Sequence, residues 1–142
     1  MFRKPKPEDF VEPMPKKQFF KLMKEFKSIG GEFKMGEDVD RFLELQDAEA
    51  STLNGFLILF SSKPSRSAVY EELIHAKQYR DNKNDGSYKA RLENEIEAQE
   101  ILIEKANEYK LTEPEVIQTQ KALASYKKEL QEYLSGRRNL SC

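Results

Sequence analysis

Cysteine, histidine and tryptophan are nearly missing from this chain. Its 142 residues include one cysteine, Cys142, one histidine, His75, and no tryptophan. A single thiol allows no intrachain disulfide and no zinc cluster of cysteines, and it leaves the redox compartment open. A single imidazole excludes a three-histidine zinc site within one chain. It also excludes a ferritin-like dinuclear centre, which needs a second Glu-x-x-His. Long apolar runs are lacking too: none approaches the roughly 20 residues of a membrane-spanning helix. No apolar segment follows the opening MFRKPKPEDF, so no signal peptide is expected, and export would need another device or a longer parent chain. Charge of one sign is equally scarce. A net charge of −1 creates no field that would gather nucleic acid or anionic lipid. The Lys-rich first 27 residues read as a solvated helix face rather than a phosphate-binding arm.

What is present suits one soluble domain. The composition is 38% hydrophobic and 35% charged, and the length supports a single core of two packed layers. Residues 1–14, with Pro5, Pro7 and Pro13, read as an extended N-terminal arm, residues 15–136 as the domain and residues 137–142 as a loose tail. From Pro15 the spacing of Phe19, Phe20, Met23 and Phe26 predicts a helix that Gly30-Gly31 ends. A short strand over 32–35 and a short helix over 38–45 follow. The clearest β signal is a hairpin, 48–53 and 56–60, closed by Asn54-Gly55. Phe56-Leu57-Ile58-Leu59-Phe60 is apolar on both faces and should be a largely covered strand. A Ser/Pro loop over 61–67 leads to a helix over 66–80, and a polar loop over 81–87 to a long helix over 88–109. Thr112 and Glu115 form a capping box that opens a last helix, expected to end near Ser135. The stripe of Val116, Leu123, Tyr126, Leu130 and Tyr133 marks its packing surface.

Titratable residues are segregated on the helix over 66–80. Glu71 and His75 are four apart and stand one turn above the other, a spacing that can grip one metal ion. Glu71, Glu72 and His75 share an arc of about 100°, apart from Val69, Leu73 and Ala76. On the next helix Glu93, Glu97 and Glu100 make the expected solvent face. Glu95 instead stands among Leu92, Ala98, Gln99, Leu102, Ile103 and Ala106, the stripe the helix should bury. An ionised carboxylate taken out of water costs several kcal/mol unless a cation or strong donors meet it. Arg66, Arg80 or Arg91 could supply that charge. A metal held jointly with His75 would account with one ion for the Glu95 carboxylate in the apolar stripe and for the titratable cluster on the preceding helix.

The sequence here resembles a family. Zincin metallopeptidases carry H-E-x-x-H on one helix and, in the gluzincin group, a glutamate ligand on the following helix. Nineteen residues, 76–94, separate His75 from Glu95, the separation found in thermolysin-like enzymes. Glu95-Ile96-Glu97-Ala98-Gln99 looks like the second zincin motif with an amide in its last place. More narrowly, Pro64-Ser65-Arg66 leading into Glu71-Glu72-Leu73-Ile74-His75-Ala76-Lys77-Gln78, and then Glu95-Ile96-Glu97-Ala98, resembles the zincin-like metallopeptidase toxin domains of bacterial polymorphic toxins. The likeness covers roughly 17–135, with specific motifs only in 64–100. It departs from the pattern at Glu71, which stands where the first ligand histidine should be.

The resemblance implies an α+β, zincin-like fold, mostly helical, with a small β-sheet or hairpin before the metal-binding helix. It implies Zn2+, or another divalent transition metal, held by Glu71, His75 and Glu95, with Glu72 as general base for peptide hydrolysis. Strand 56–60 would be the edge strand that pairs with a substrate backbone. Tyr79 and Tyr88 are candidate oxyanion donors as well as rim residues. Gln99 would either orient Glu95 or cap a loop. The expected partners are a protein substrate and a cognate immunity protein, and the expected setting is a delivered or secreted effector acting in a target cell. The alternative is a catalytically degenerate zincin-like domain or helical protein-binding module. A nuclease is disfavoured, because no second basic cluster and no second histidine accompany the site.

Overall fold

The computed structural model describes the backbone of residues 2–3 and 11–140 and the side chains of residues 11–136. Strand β1 (Phe2–Arg3) is followed by α1 (Lys16–Ser28), β2 (Glu32–Lys34), α2 (Glu37–Leu45), β3 (Ala48–Asn54) and β4 (Leu57–Phe60). Helices α3 (Arg66–Arg80), α4 (Tyr88–Glu104), α5 (Ala106–Tyr109) and α6 (Glu113–Leu140) complete the chain. The architecture is mixed α+β, mainly helical with one small sheet, as the periodicities require. The strand order is β1-β3-β4-β2, antiparallel except for the parallel β2/β4 pair.

Apolar periodicity decides how the layers stack. Phe19, Met23 and Phe26 recur at helical spacing and are buried, whereas Phe20 falls off the stripe and is exposed. They pack with Ala50 of β3, Ile58 and Phe60 of β4, and Val69 and Ala76 of α3. Leu59, pointing the opposite way in β4, joins Leu43 of α2 and Ala48 in a smaller cluster. The covered-strand expectation therefore holds for Ile58, Leu59 and Phe60. Each such side chain contributes about 1.5–3 kcal/mol through burial.

The hairpin turn sits one residue later than expected, at Gly55-Phe56, with Asn54 paired to Leu57. Asn54 Oδ1 accepts the Phe56 amide at 2.8 Å, so asparagine shapes the turn with its side chain instead of occupying its centre. Gly55 is required by proximity: a Cβ there would lie 2.5 Å from Arg80 Cγ and 3.3 Å from the Ala76 carbonyl oxygen. Arg80 Nη1 donates to the Gly55 carbonyl at 2.6 Å, tying the hairpin to the end of α3.

Several boundaries differ from the sequence reading. Strand β4 is internal, flanked by β3 and β2, and so cannot be the substrate-pairing edge. Of the arm expected over 1–14, residues 4–10 lie outside the described residues. Phe2–Arg3 pairs with β3, Pro13 bridges to Ser65, and Met14 is buried in the main core. The helix expected over 88–109 breaks at Lys105, whose amide still bonds back to Ile101 while its φ and ψ leave the helical region. At the other end the backbone of α6 continues to Leu140, beyond Ser135, through most of the expected loose tail; residues 141–142 lie outside the described residues. Among the described residues no helix is long and apolar enough to cross a membrane.

Candidate metal centre

Three groups pin the start of α3. Ser65 Oγ caps it by accepting the Ala68 amide at 3.2 Å, and Glu49 Oε1 accepts the Ser65 amide at 2.6 Å. Glu115 Oε2, from α6, accepts the Ser67 amide at 2.5 Å. The same Glu115 closes its own capping box, taking the Thr112 amide and hydroxyl on Oε1, both at 3.1 Å. Sequence reading found the box but missed its second use, because the partner lies 48 residues away. Ser87 caps α4 through the Ala90 amide at 3.1 Å.

With both helices anchored, α3 is covered on two sides, by the sheet and by α4, so its polar arc is buried along with its apolar one. Glu71, Glu72 and His75 are 3%, 0% and 8% exposed, and Glu95 of α4 is 7% exposed. His75 Nε2 lies 3.3 Å from Glu95 Oε1 and 4.0 Å from Glu71 Oε1. Ligand atoms of Glu71, Glu72 and His75 all fall within 4.8 Å of one another. Of the four residues singled out in the sequence, Glu71, Glu72 and His75 come together and Glu95 joins them through His75. Of the arginines proposed as alternative partners of Glu95, Arg80 and Arg66 are placed otherwise, whereas Arg91 shares the cavity wall with Glu95 and its charge helps to hold that carboxyl low. Arg80 serves Gly55, Arg66 lies 3.6 Å from Glu12, and Arg91 makes no ion pair among the described residues.

The electrostatics follow from this crowding. Burial, and next the Glu95 charge, push the Glu71 carboxyl up to about 8. Burial alone would lower His75; its contact with Glu95 and the charges of Glu72, Glu95 and Glu71 outweigh that and raise it to about 9. Burial would raise Glu95, yet the His75 contact holds it below the usual carboxylate range. Without another cation, one imidazolium serves several buried carboxylates.

Glu71, Glu72 and His75 form a buried group that could hold a metal ion, and Glu95 adjoins it through His75. Glu71 Oε2, His75 Nε2 and Glu95 Oε2 are buried and have no hydrogen-bond partner among the described residues. Buried polar atoms left in this way are costly. One imidazole nitrogen with carboxylate oxygens is a donor set taken by zinc, and the oxygen-rich composition also suits other divalent transition ions. His75 and Glu95 open onto a cavity of about 370 Å3, with Thr52, Tyr79, Tyr88 and Arg91 also on its wall. This cavity gives a substrate access to His75 and Glu95.

The roles expected for other residues divide. Thr52 donates its amide to Glu72 Oε1 at 3.0 Å and its hydroxyl to the Glu72 carbonyl at 3.0 Å, so the carboxylate of Glu72 is held against β3 beneath the cavity wall. Tyr79 lines the cavity as expected; the Tyr88 hydroxyl donates to Glu129, which turns it toward α6. Gln99 does not orient Glu95. Its Nε2 donates to Glu71 Oε1, because Glu71 rather than Glu95 faces it across the helix pair. Sequence reading passed over Gln78, although its place three residues after His75 put it on the same side of α3. It also missed Thr52, for which nothing local gave a signal. No family model, no curated protein and no solved structure matches this chain.

Proposed function

We propose that this chain is a zincin-like, metal-dependent peptidase of the kind carried as effector domains by bacterial polymorphic toxins. One observation carries the reading: His75 Nε2, Glu71 Oε2 and Glu95 Oε2 are buried and lack hydrogen-bond partners among the described residues, and His75 and Glu95 open onto a cavity. His75, Glu71 and Glu95 would hold Zn2+ or a similar divalent ion. Such an ion, when bound, polarises a carbonyl and makes a water molecule acidic near neutral pH. Glu72 accepts the water proton at a carboxylate oxygen, kept in place by the Thr52 amide on Oε1. Gln99 orients Glu71, and Tyr79, which lines the cavity, would donate to a substrate oxygen. A protein is the substrate, a cognate immunity protein covers the cavity, and delivery into a target cell provides the setting; these three points rest on the sequence resemblance.

A second reading, a degenerate zincin-like or helical binding module, is favoured by one observation. Glu72 is wholly buried and does not reach the cavity wall. Elemental analysis and calorimetric titration of the purified protein separate the two readings. One equivalent of tightly held metal supports the peptidase; no uptake of any divalent ion by the folded protein removes it and leaves the binding module.

A further inference from the structure

Gln78 follows His75 by three residues on α3, and its surroundings decide which way its amide faces. Its nitrogen has two acceptors, the Asn94 carbonyl at 2.9 Å and Glu97 Oε1 at 3.0 Å. A carbonyl offers no proton, and the Glu97 carboxylate is kept ionised by Gln78 and by Lys83, whose Nζ lies 3.0 Å from Oε2. The amide nitrogen must therefore face these two oxygens, which turns Gln78 Oε1 toward His75 Nδ1 at 2.7 Å. An amide oxygen only accepts, so Nδ1 carries a proton. In a neutral ring the lone pair then belongs to Nε2, the atom that faces Glu71 and Glu95 and has no hydrogen-bond partner among the described residues.

We propose that Gln78 is the positioning residue of the metal centre: it fixes His75 as the Nδ1–H tautomer, with Nε2 presented to a divalent cation. The proposal rests on the metal centre put forward above. Metal-binding histidines commonly donate their second nitrogen to an outer partner, and loss of that partner typically costs 10–100-fold in metal affinity. Here the partner is an amide, held in turn by Asn94 and by the Glu97–Lys83 ion pair, so the geometry is set from the surface inward. Asn94 Nδ2 donates to the Lys83 carbonyl at 3.1 Å, which fixes the loop carrying Lys83 to α4.

Because His75 is the only histidine, nitrogen NMR of ring-labelled protein reports this one imidazole without ambiguity. In the zinc-loaded wild type the expected spectrum shows the proton on Nδ1 and zinc on Nε2. In the metal-free wild type the Nδ1 proton should exchange slowly with water. In Gln78→Met it should exchange fast, with zinc affinity reduced about 10–100-fold while the circular dichroism spectrum is kept. Zinc on Nδ1, or an Nδ1 proton exchanging equally fast in folded wild type and variant, overturns the proposal even if zinc binds tightly. If Gln78→Met does not fold, the spectrum of the zinc-loaded wild type alone decides which nitrogen carries the proton. A protected Nδ1 proton in a wild type that takes up no zinc overturns the metal centre and, with it, the orienting role of Gln78. The two failures are thereby told apart.

Discussion

Nε2 of His75, on α3, lies 3.3 Å from Oε1 of Glu95, on α4, and both residues are buried. This contact closes the gap between the two helices and places a carboxylate and an imidazole where either a proton or a metal ion can join them.

Replacing Glu95 with alanine should remove that junction. Wild type is expected to bind one equivalent of Zn2+. Glu95→Ala should bind at least about 100-fold more weakly, beyond the 10–100-fold typical of an outer partner, when measured by calorimetry at pH 7. Equal affinity in both proteins would take Glu95 out of the ligand set.

The pH dependence of the metal-free protein has a defined sign. Glu71 titrates near 8 in the folded chain against 4.5 for the free group, so between these values the folded state holds a proton the unfolded state has lost, and stability falls as pH rises. His75 behaves in the same direction: its contribution is complete below about 6.5 and is lost as pH rises through about 9. Glu95, held low, contributes stability above its ordinary value of 4.5 and loses it as pH falls through its depressed folded value. With a chelator present, Tm should therefore fall steadily from pH 6 to pH 9. With zinc the decline should shrink, because metal binding displaces these protons. A chelated protein whose Tm rises over that range would contradict the placement of Glu71 and His75.

Glu72→Gln should keep the metal and lose hydrolysis. The amide oxygen can still accept from Thr52, so the fold should survive, whereas removing a general base typically costs about 10²–10⁴ in rate. Casein or another unfolded protein serves as substrate in the first assay. An unchanged rate would reassign the base to another carboxylate, and loss of metal together with rate would make Glu72 a ligand.

Glu115→Ala removes one carboxylate from two helix starts. The Ser67 and Thr112 amides both lose their acceptor, and a destabilisation of about 2–4 kcal/mol is expected from urea unfolding. Glu115→Gln should cost less, since an amide oxygen can serve one of the two sites. A change in Glu115→Ala below about 0.5 kcal/mol, the range of ordinary surface substitutions, would refute the double role.

The elements legible in the sequence are those that a few neighbouring residues specify. Phe19, Met23 and Phe26 announce α1 by their spacing. Thr112 and Glu115 announce the start of α6, and Asn54-Gly55 announces a hairpin to within one residue. The miss at the hairpin has a local cause, an asparagine side chain bonding forward to Phe56. The miss at β4 does not. A run apolar on both faces says that a strand is covered, but neighbours in the sheet are chosen by chain segments far apart, and β2 arrives parallel from before the hairpin.

The candidate centre was half legible for the same reason. Periodicity alone put Glu71 and His75 one turn apart and exposed Glu95 as a carboxylate in an apolar stripe, because helix geometry converts spacing into direction. Three things came only from the packing of α3 between the sheet and α4: the burial of its polar arc, the Thr52 amide on Glu72, and the preference of Gln99 for Glu71. By itself the sequence determined which side chains face the same way, which is a matter of 3.6 residues per turn and of local capping. Tertiary structure decided which of them meet and which of their atoms are satisfied. Hydrogen bonds and ion pairs act over a few ångströms, and Thr52 with Glu72, Glu71 with Gln99 and His75 with Glu95 each lie 20 or more positions apart in the chain.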